Sequence, residues 1–393
     1  MKKIVYLDNA ATTAVRKEVL DEMEVYFRKE YANPASKYRF ASAPFAAVSE
    51  ARTQVAEAIG AASMEEIYFT AGGSESDNWA IQGVCSAAGE GHIITTAFEH
   101  HALMNTCKSL EKKGFSVTFL KPSAKGYIDP KAVEDAIRPD TVIISVMYAN
   151  NEIGTVQPIA EIGAIARKHR ITFHTDAVQA AGHIPVDVVG MNADLLSLSA
   201  HKFYGPKGVG AMYIKKGTKI SPLIFGGMQE FNKRAGTHNV SGIVGLGKAL
   251  ELACEEMEEE RERITGLRDK LINGILNNIP HAKLNGGLEP RLPGNVNISF
   301  RFIESEAILN LLDFKGICAS SGSACNSDSL EASHVLLAIG MSHEEANGTI
   351  RFSLGRYNTE EDIGFLLESL PPVVEKLRAM SPLYEDFIKS RTL

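Results

Sequence analysis

The sequence is poor in most features that would assign it to a large function class. It has five cysteines in 393 residues, at positions 85, 107, 254, 318 and 325, with no close pair and no Cys-x-x-Cys. That argues against a disulfide framework and a structural zinc site, and it casts most of them as reduced, small apolar residues. Basic charge is not in excess: the net charge of −7 excludes nucleic acid as the main partner. Long apolar runs are missing as well. Met1-Lys-Lys-Ile-Val-Tyr-Leu-Asp8 begins like the head of a signal peptide, but its apolar run stops at Asp8 and nothing later approaches a membrane span. A cytoplasmic location is therefore expected. There is no internal repeat, no low-complexity tract and no Gly-x4-Gly-Lys phosphate loop. Gly-x-Gly-x-x-Gly occurs only in part, at Gly245-Leu-Gly247.

What is present is the composition of a soluble globular protein, 45% hydrophobic and 23% charged, in a chain long enough for two domains. From about residue 50 to 215, apolar β-rich runs alternate with amphipathic helical stretches. Strands are expected at 66–70, 92–96, 116–120, 142–147, 172–175, 195–199 and 209–214, with helices such as 161–169 between them. Alternation of this kind implies a mostly parallel sheet covered on both faces, with ligands beyond the carboxyl ends of the strands. Gly73-Ser74, His100, Asn151, Asp176 and His201-Lys202 all fall just after strand runs. The charged stretch from Glu251 to about Asn278 reads as one helix with a solvated face. Beyond it the pattern is that of a smaller α+β unit, with strands at 295–300, 317–320 and 349–354.

Four places carry chemistry. Glu66-Ile-Tyr-Phe-Thr-Ala-Gly72-Gly73-Ser74-Glu-Ser76 is strand, glycine turn and helix start, able to bring backbone N–H groups and hydroxyls to a phosphate. Alone, it is equally an ordinary strand-to-helix turn. His174-Thr175-Asp176 ends an apolar strand with a carboxylate that must be paired if buried. A protonated pyridine nitrogen is one suitable partner, and a helix cap is the plainer reading. Ser199-Ala-His201-Lys202 presents a lysine on a Gly/Pro-bounded turn, where its amine can condense with an aldehyde cofactor. Ser320-Ser-Gly-Ser-Ala-Cys325 puts a cysteine on a segment of small residues, either a plain turn or a thiol free to move. The glycine turn, Asp176 and Lys202 in combination are far more specific than any one part.

With these residues in view, the chain resembles the pyridoxal-phosphate cysteine desulfurases of the iron–sulfur cluster assembly type, a branch of the class V aminotransferase group. The resemblance covers nearly the whole chain. It runs through Tyr6-Leu-Asp-Asn-Ala-Ala-Thr-Thr13, Asn33-Pro34, Glu99-His100, Asn150-Asn151-Glu-Ile-Gly-Thr-Val-Gln-Pro158, His174-Thr-Asp-Ala-Val-Gln179 and Ser199-Ala-His-Lys202. It continues through Arg234-Ala-Gly-Thr237, Ser321-Gly-Ser-Ala-Cys325 and Arg351-Phe-Ser-Leu-Gly-Arg356. Departures are few: Ser74 where threonine is commoner, Tyr38 where many relatives carry histidine, and His238 after Thr237.

The resemblance implies an aspartate-aminotransferase-like α/β fold (fold type I). A large cofactor-binding domain at 15–256 would carry a seven-stranded, mostly parallel sheet, and 1–14 with 257–393 would form a small α+β domain bearing the cysteine loop. It implies that Lys202 holds pyridoxal 5′-phosphate covalently and then shuttles protons. Asp176 would pair with the pyridine nitrogen, Gln179 would reach the ring hydroxyl, and Asn151 would lie on the ring's oxygen side. His100 would stack on the ring as acid–base helper. Gly73, Ser74, Ser199 and His201 would hold the phosphate, joined by Thr237 from the other subunit of a homodimer. Arg351 would clamp the substrate carboxylate, assisted by Asn33 and Asn151. The implied activity converts L-cysteine to L-alanine, with the sulfur kept as a persulfide on Cys325 for an acceptor or iron–sulfur scaffold protein. No resident metal is implied, although a thiolate at Cys325 can chemically ligate a cluster in transit. Selenocysteine lyase action or another class V reaction is the alternative. An aminotransferase has no use for Cys325.

Overall fold

The strand runs of the sequence become, in a computed structural model describing residues 4–321 and 332–392, twelve short strands. They are β1 (Val5–Tyr6), β2 (Ile67–Thr70), β3 (His92–Thr96), β4 (Ser116–Leu120), β5 (Thr141–Ser145) and β6 (Thr172–Asp176). β7 (Leu195–Ser199), β8 (Gly210–Ile214), β9 (Ala282–Leu284), β10 (Asn295–Phe300), β11 (Ile317–Cys318) and β12 (Thr349–Ser353) complete the set among the described residues. Strands β2 to β8 form the expected seven-stranded sheet, in the order β2-β8-β7-β6-β5-β3-β4. Only β8 runs antiparallel to its neighbours. Side chains on both faces of β5, β6 and β7 are buried, which is why these segments read as apolar runs rather than as alternating patterns. Each large side chain so buried, such as Phe173 or Leu196, stabilises the fold by about 1.5–3 kcal/mol.

One large apolar cluster, containing Phe173, Leu196 and Leu246, and a second one around Trp79, Leu103 and Met212 make up this buried mass. A separate cluster gathers Val5 and Leu7 with Ile264, Phe300, Phe352 and Leu370. It packs on the antiparallel sheet β12-β10-β9 and on the parallel pair β1-β11. The chain's start is therefore stapled to its last third, by the β1–β11 pair and by Asp8 bridging to Ser353.

One expectation is corrected. The charged stretch from Glu251 onward is not one helix but the end of helix Val240–Glu255 followed by helix Met257–Asn278. The break falls at Glu256, whose carboxylate accepts from Arg16 Nη1 at 2.7 Å and Nη2 at 3.1 Å, and also from Arg356. Tertiary ion pairing wins over helical continuity there, and no local pattern announces it.

Candidate active site

Elements that converge at the carboxyl edge of the large sheet enclose a cavity of about 340 Å³. The helix Gly73–Ala88 opens toward it with Gly73 and Ser74. Its turn needs glycine: Gly72 has φ +149°, and a Cβ on Gly73 would stand 2.7 Å from Val178 Cγ2. From β7 and the short turn after it come Ser199, His201 and Lys202. β6 supplies Asp176, followed by Gln179, and the far side is closed by His100, Asn151 and Arg351. Ten of the residues expected at the site thus line one cavity: Gly73, Ser74, His100, Asn151, Asp176, Gln179, Ser199, His201, Lys202 and Arg351.

The N-terminal segment lies over the lysine. Lys202 Nζ donates to the carbonyls of Ala10 at 2.7 Å and Ala11 at 2.8 Å, and Gln179 Nε2 donates to the Ala10 carbonyl at 3.0 Å. His201 Nδ1 and Thr12 Oγ1 are 3.1 Å apart, and the Lys202 carbonyl is met by His183 Nε2 at 2.9 Å. The lysine is therefore fixed through its backbone as well as through its amine. Burial first, then the Lys202 charge, pushes His201 down to about 4.

Asp176 is 5% exposed, and its Oδ1 accepts the Val178 N–H at 2.8 Å. Burial raises its pKa to about 6, against the lowering effects of that hydrogen bond and of Lys202. His100 caps helix His101–Glu111: its Nδ1 accepts the Ala102 N–H at 3.1 Å. Burial first, then the Lys202 charge, pushes His100 down to about 4, so the ring is neutral at pH 7. With Nδ1 accepting, the neutral ring carries its proton on Nε2. Arg351 is 1% exposed and donates from Nη1 to the Asn151 carbonyl at 3.0 Å and from Nη2 to Asp8 Oδ1 at 2.9 Å. The guanidinium plane is thereby held at the cavity wall.

Three expected residues stand elsewhere. Asn33 is exposed, does not line the cavity, and accepts the Ala35 N–H on Oδ1 at 3.0 Å. Thr237 is also exposed and outside the cavity. Its segment is tied to the start of helix Gly73–Ala88 by the Arg234–Glu75 pair at 2.8 and 3.0 Å. Cys325 lies outside the described residues. Cys318 is half-buried, and burial raises its thiol pKa. Sequence reasoning assigned no role to Asp77, His101, Glu152 or His334, which also line the cavity. The signal for Asp77 is its spacing, four residues after Gly73 on the same helix face.

The donor set fits a phosphorylated pyridine aldehyde. A helix N-terminus with Ser74, Ser199 and His201 suits a dianion. The buried acceptor Asp176 suits a protonated ring nitrogen, and Lys202 supplies the amine for the aldehyde. Among the described residues, no helix is long and apolar enough to cross a membrane.

Comparison with known proteins agrees with this arrangement. Residues 5–366 match the family model for aminotransferase class-V. The chain is 54% identical over its full length to "Cysteine desulfurase IscS" of Clostridium botulinum (strain Hall), covering 99% of that protein. It is 55% identical over 97% of its length to the protein of the same name from Methanosarcina thermophila, covering 94% of it. Among solved structures, a "NifS-like protein" superposes with a TM-score of 0.90 at 39% identity, over 95% of this chain and 100% of that one. Another, "SspA in complex with cysteine", gives a TM-score of 0.80 at 40% identity, over 91% of this chain and 100% of that one. The chain belongs to the aminotransferase class-V family, in its cysteine desulfurase branch.

Proposed function

We propose that this chain is a pyridoxal-phosphate cysteine desulfurase that converts L-cysteine to L-alanine and keeps the sulfur as a persulfide on Cys325. The observation that carries the reading is one cavity holding Lys202, Asp176 and the Gly73–Ser74 helix start together. It stands in a chain 54% identical over its full length to a cysteine desulfurase. When bound, pyridoxal phosphate supplies an electron sink for the charge left as the substrate loses its α-proton.

In this reading Gly73, Ser74, Ser199 and His201 hold the phosphate, and Thr237 reaches the phosphate of a second copy in a homodimer. The exposure of Thr237 and its anchoring through Arg234 support that assignment. Asp176 holds the ring nitrogen's proton, Gln179 and Asn151 serve the ring's oxygen side, and His100 covers the ring. Lys202 binds the cofactor, takes the α-proton on Nζ and returns a proton. Arg351, fixed by Asp8 and the Asn151 carbonyl, binds the substrate carboxylate with help from Asn151 and Asn33.

The Cys325 thiolate attacks the substrate sulfur, the substrate's Cβ–S bond breaks and a new S–S bond forms. Cβ gains a proton, so cysteine and a thiol become alanine and a persulfide. The persulfide then serves an acceptor in iron–sulfur cluster assembly, and the enzyme works in the cytoplasm. A division into 15–256 and 1–14 with 257–393 belongs to the same reading. The separate cluster joining Val5 and Leu7 to Ile264 and Leu370 supports it.

The test is to incubate the purified holoenzyme with L-cysteine and a reductant and to measure alanine and sulfide. Equal amounts of the two support the reading. A keto acid without alanine would contradict it.

A further inference from the structure

The floor of the cavity carries a polar rung that the reaction as described does not use. His174 and Asp176 lie two residues apart on β6, so both face the same side of the sheet. His174 pairs in register with Ser145 on β5, and Asp176 pairs with Ser197 on β7. The imidazole sits between two hydroxyls, with Nδ1 2.8 Å from Ser145 Oγ and Nε2 3.0 Å from Ser197 Oγ. Over this rung, one helical turn below Gly73, the helix Gly73–Ala88 places Asp77. Asp77 is 1% exposed and lines the same cavity as Asp176. Its Oδ1 lies 3.8 Å from His174 Nε2 and has no hydrogen-bond partner among the described residues.

Two buried carboxyl groups on one cavity cannot both be charged without cost, so the question is which of them holds a proton. Asp176 has the means to stay ionised: a backbone N–H donates to it at 2.8 Å, and the Lys202 charge favours its carboxylate. Asp77 has less: the Ser197 hydroxyl favours its carboxylate, but burial and the Asp176 charge outweigh that bond. Among the described residues its one ion-pair candidate is His174. That ring is buried without exposure and is pushed down to about 3, so it carries no charge at pH 7. The third carboxyl nearby, Glu99, is lifted by burial to about 8 and offers Asp77 no cation. A buried carboxyl without a cation keeps its proton. Burial and then the Asp176 charge move Asp77 well above the ordinary carboxylate range, in agreement with this partition.

We propose that Asp77 is a positioning residue for Asp176: of the two aspartates on this cavity, it is the one that holds a proton. Asp176 is thereby left as the charged member that pairs with a protonated ring nitrogen. The inference rests on the pyridoxal-phosphate reading above, and it adds a group that sets the charge state of the cofactor's partner.

Two spectroscopic readouts test it on the holoenzyme, in the parent, Asp77→Asn and Asp176→Asn. The first is infrared difference spectroscopy with 13C-labelled aspartate, which separates Asp77 from Glu99. A protonated carboxylic acid band should be present in the parent at pH 7, absent in Asp77→Asn and retained in Asp176→Asn. The second is the 15N resonance of ring-labelled cofactor. It should stay at the pyridinium position in Asp77→Asn and move to the unprotonated position in Asp176→Asn.

Absence of the acid band in the parent, or its loss in Asp176→Asn, would overturn the proposal. So would a ring resonance in Asp77→Asn that moves as it does in Asp176→Asn. If Asp77→Asn does not fold, the comparison of parent with Asp176→Asn still decides which carboxyl holds the proton. Failure of the cofactor reading would look different: no visible absorption band and no ring resonance, with the aspartic acid band still readable in the protein.

Discussion

Replacing Asp176 by asparagine should make the cofactor-free protein more stable at neutral pH while weakening its hold on pyridoxal phosphate. Burial moves the carboxyl from its ordinary 3.8 to about 6. At 1.36 kcal/mol per pH unit, this corresponds to roughly 3 kcal/mol of unfavourable free energy for keeping the charge in the folded protein. The sign follows from proton counting. Between pH 3.8 and about 6 the folded state still binds the proton that the unfolded chain has released. Stability therefore falls as pH rises through that window, and the full cost is present above it. Asparagine retains the acceptor for the Val178 N–H, bonded at 2.8 Å in the parent, and carries no charge. Denaturant unfolding of cofactor-free parent and Asp176→Asn should give matching midpoints below pH 4. The variant should gain progressively to roughly 3 kcal/mol by pH 7. Added cofactor should reverse the order, since only the carboxylate offers a counter-charge to the ring. A difference independent of pH, or a less stable cofactor-free variant at pH 7, would refute the electrostatic account of Asp176.

Borohydride treatment of the holoenzyme should bleach its visible band and fix the cofactor to the peptide containing Lys202, as peptide mapping would show, and Lys202→Ala should abolish alanine formation. Gly73→Ala should cost about 1–3 kcal/mol and loosen cofactor binding. A Cβ there would stand 2.7 Å from Val178 Cγ2, and unfolding midpoints with cofactor titration would check this. Arg351→Lys should raise KM for cysteine roughly tenfold or more with a smaller effect on kcat, because the planar fork is lost. Steady-state kinetics would show it. The His100 ring, pushed down to about 4, should remain neutral from about pH 5 upward in 15N-histidine spectra.

The large sheet was legible because its strands are buried on both faces and therefore read as apolar runs between helical patterns. The expected 92–96, 116–120 and 195–199 coincide with β3, β4 and β7, and 142–147 differs from β5 only at its ends. Lys202 and Asp176 were legible because each ends such a run with a charge that the fold must use. Asp77 was not, since a carboxylate on a helix reads as a solvated face unless the helix is known to be buried there. The carbonyls of Ala10 and Ala11 that hold Lys202 come from a segment about 190 residues earlier in the chain, and backbone acceptors leave no mark in a sequence. The helix break at Glu256 was hidden for a similar reason. Arg16 and Arg356, which draw the carboxylate out of helical register, are remote in sequence.

The central claim is that sulfur leaves L-cysteine for Cys325. The most direct measurement is mass spectrometry of the digested holoenzyme after a single turnover with L-cysteine, in the parent and in Cys325→Ala. One added sulfur should appear on the peptide containing Cys325. The alanine variant should keep its cofactor and its spectral response to cysteine, yet form no persulfide and almost no alanine. Sulfur found on Cys318 instead, or sulfide released by Cys325→Ala at the parent rate, would contradict the account.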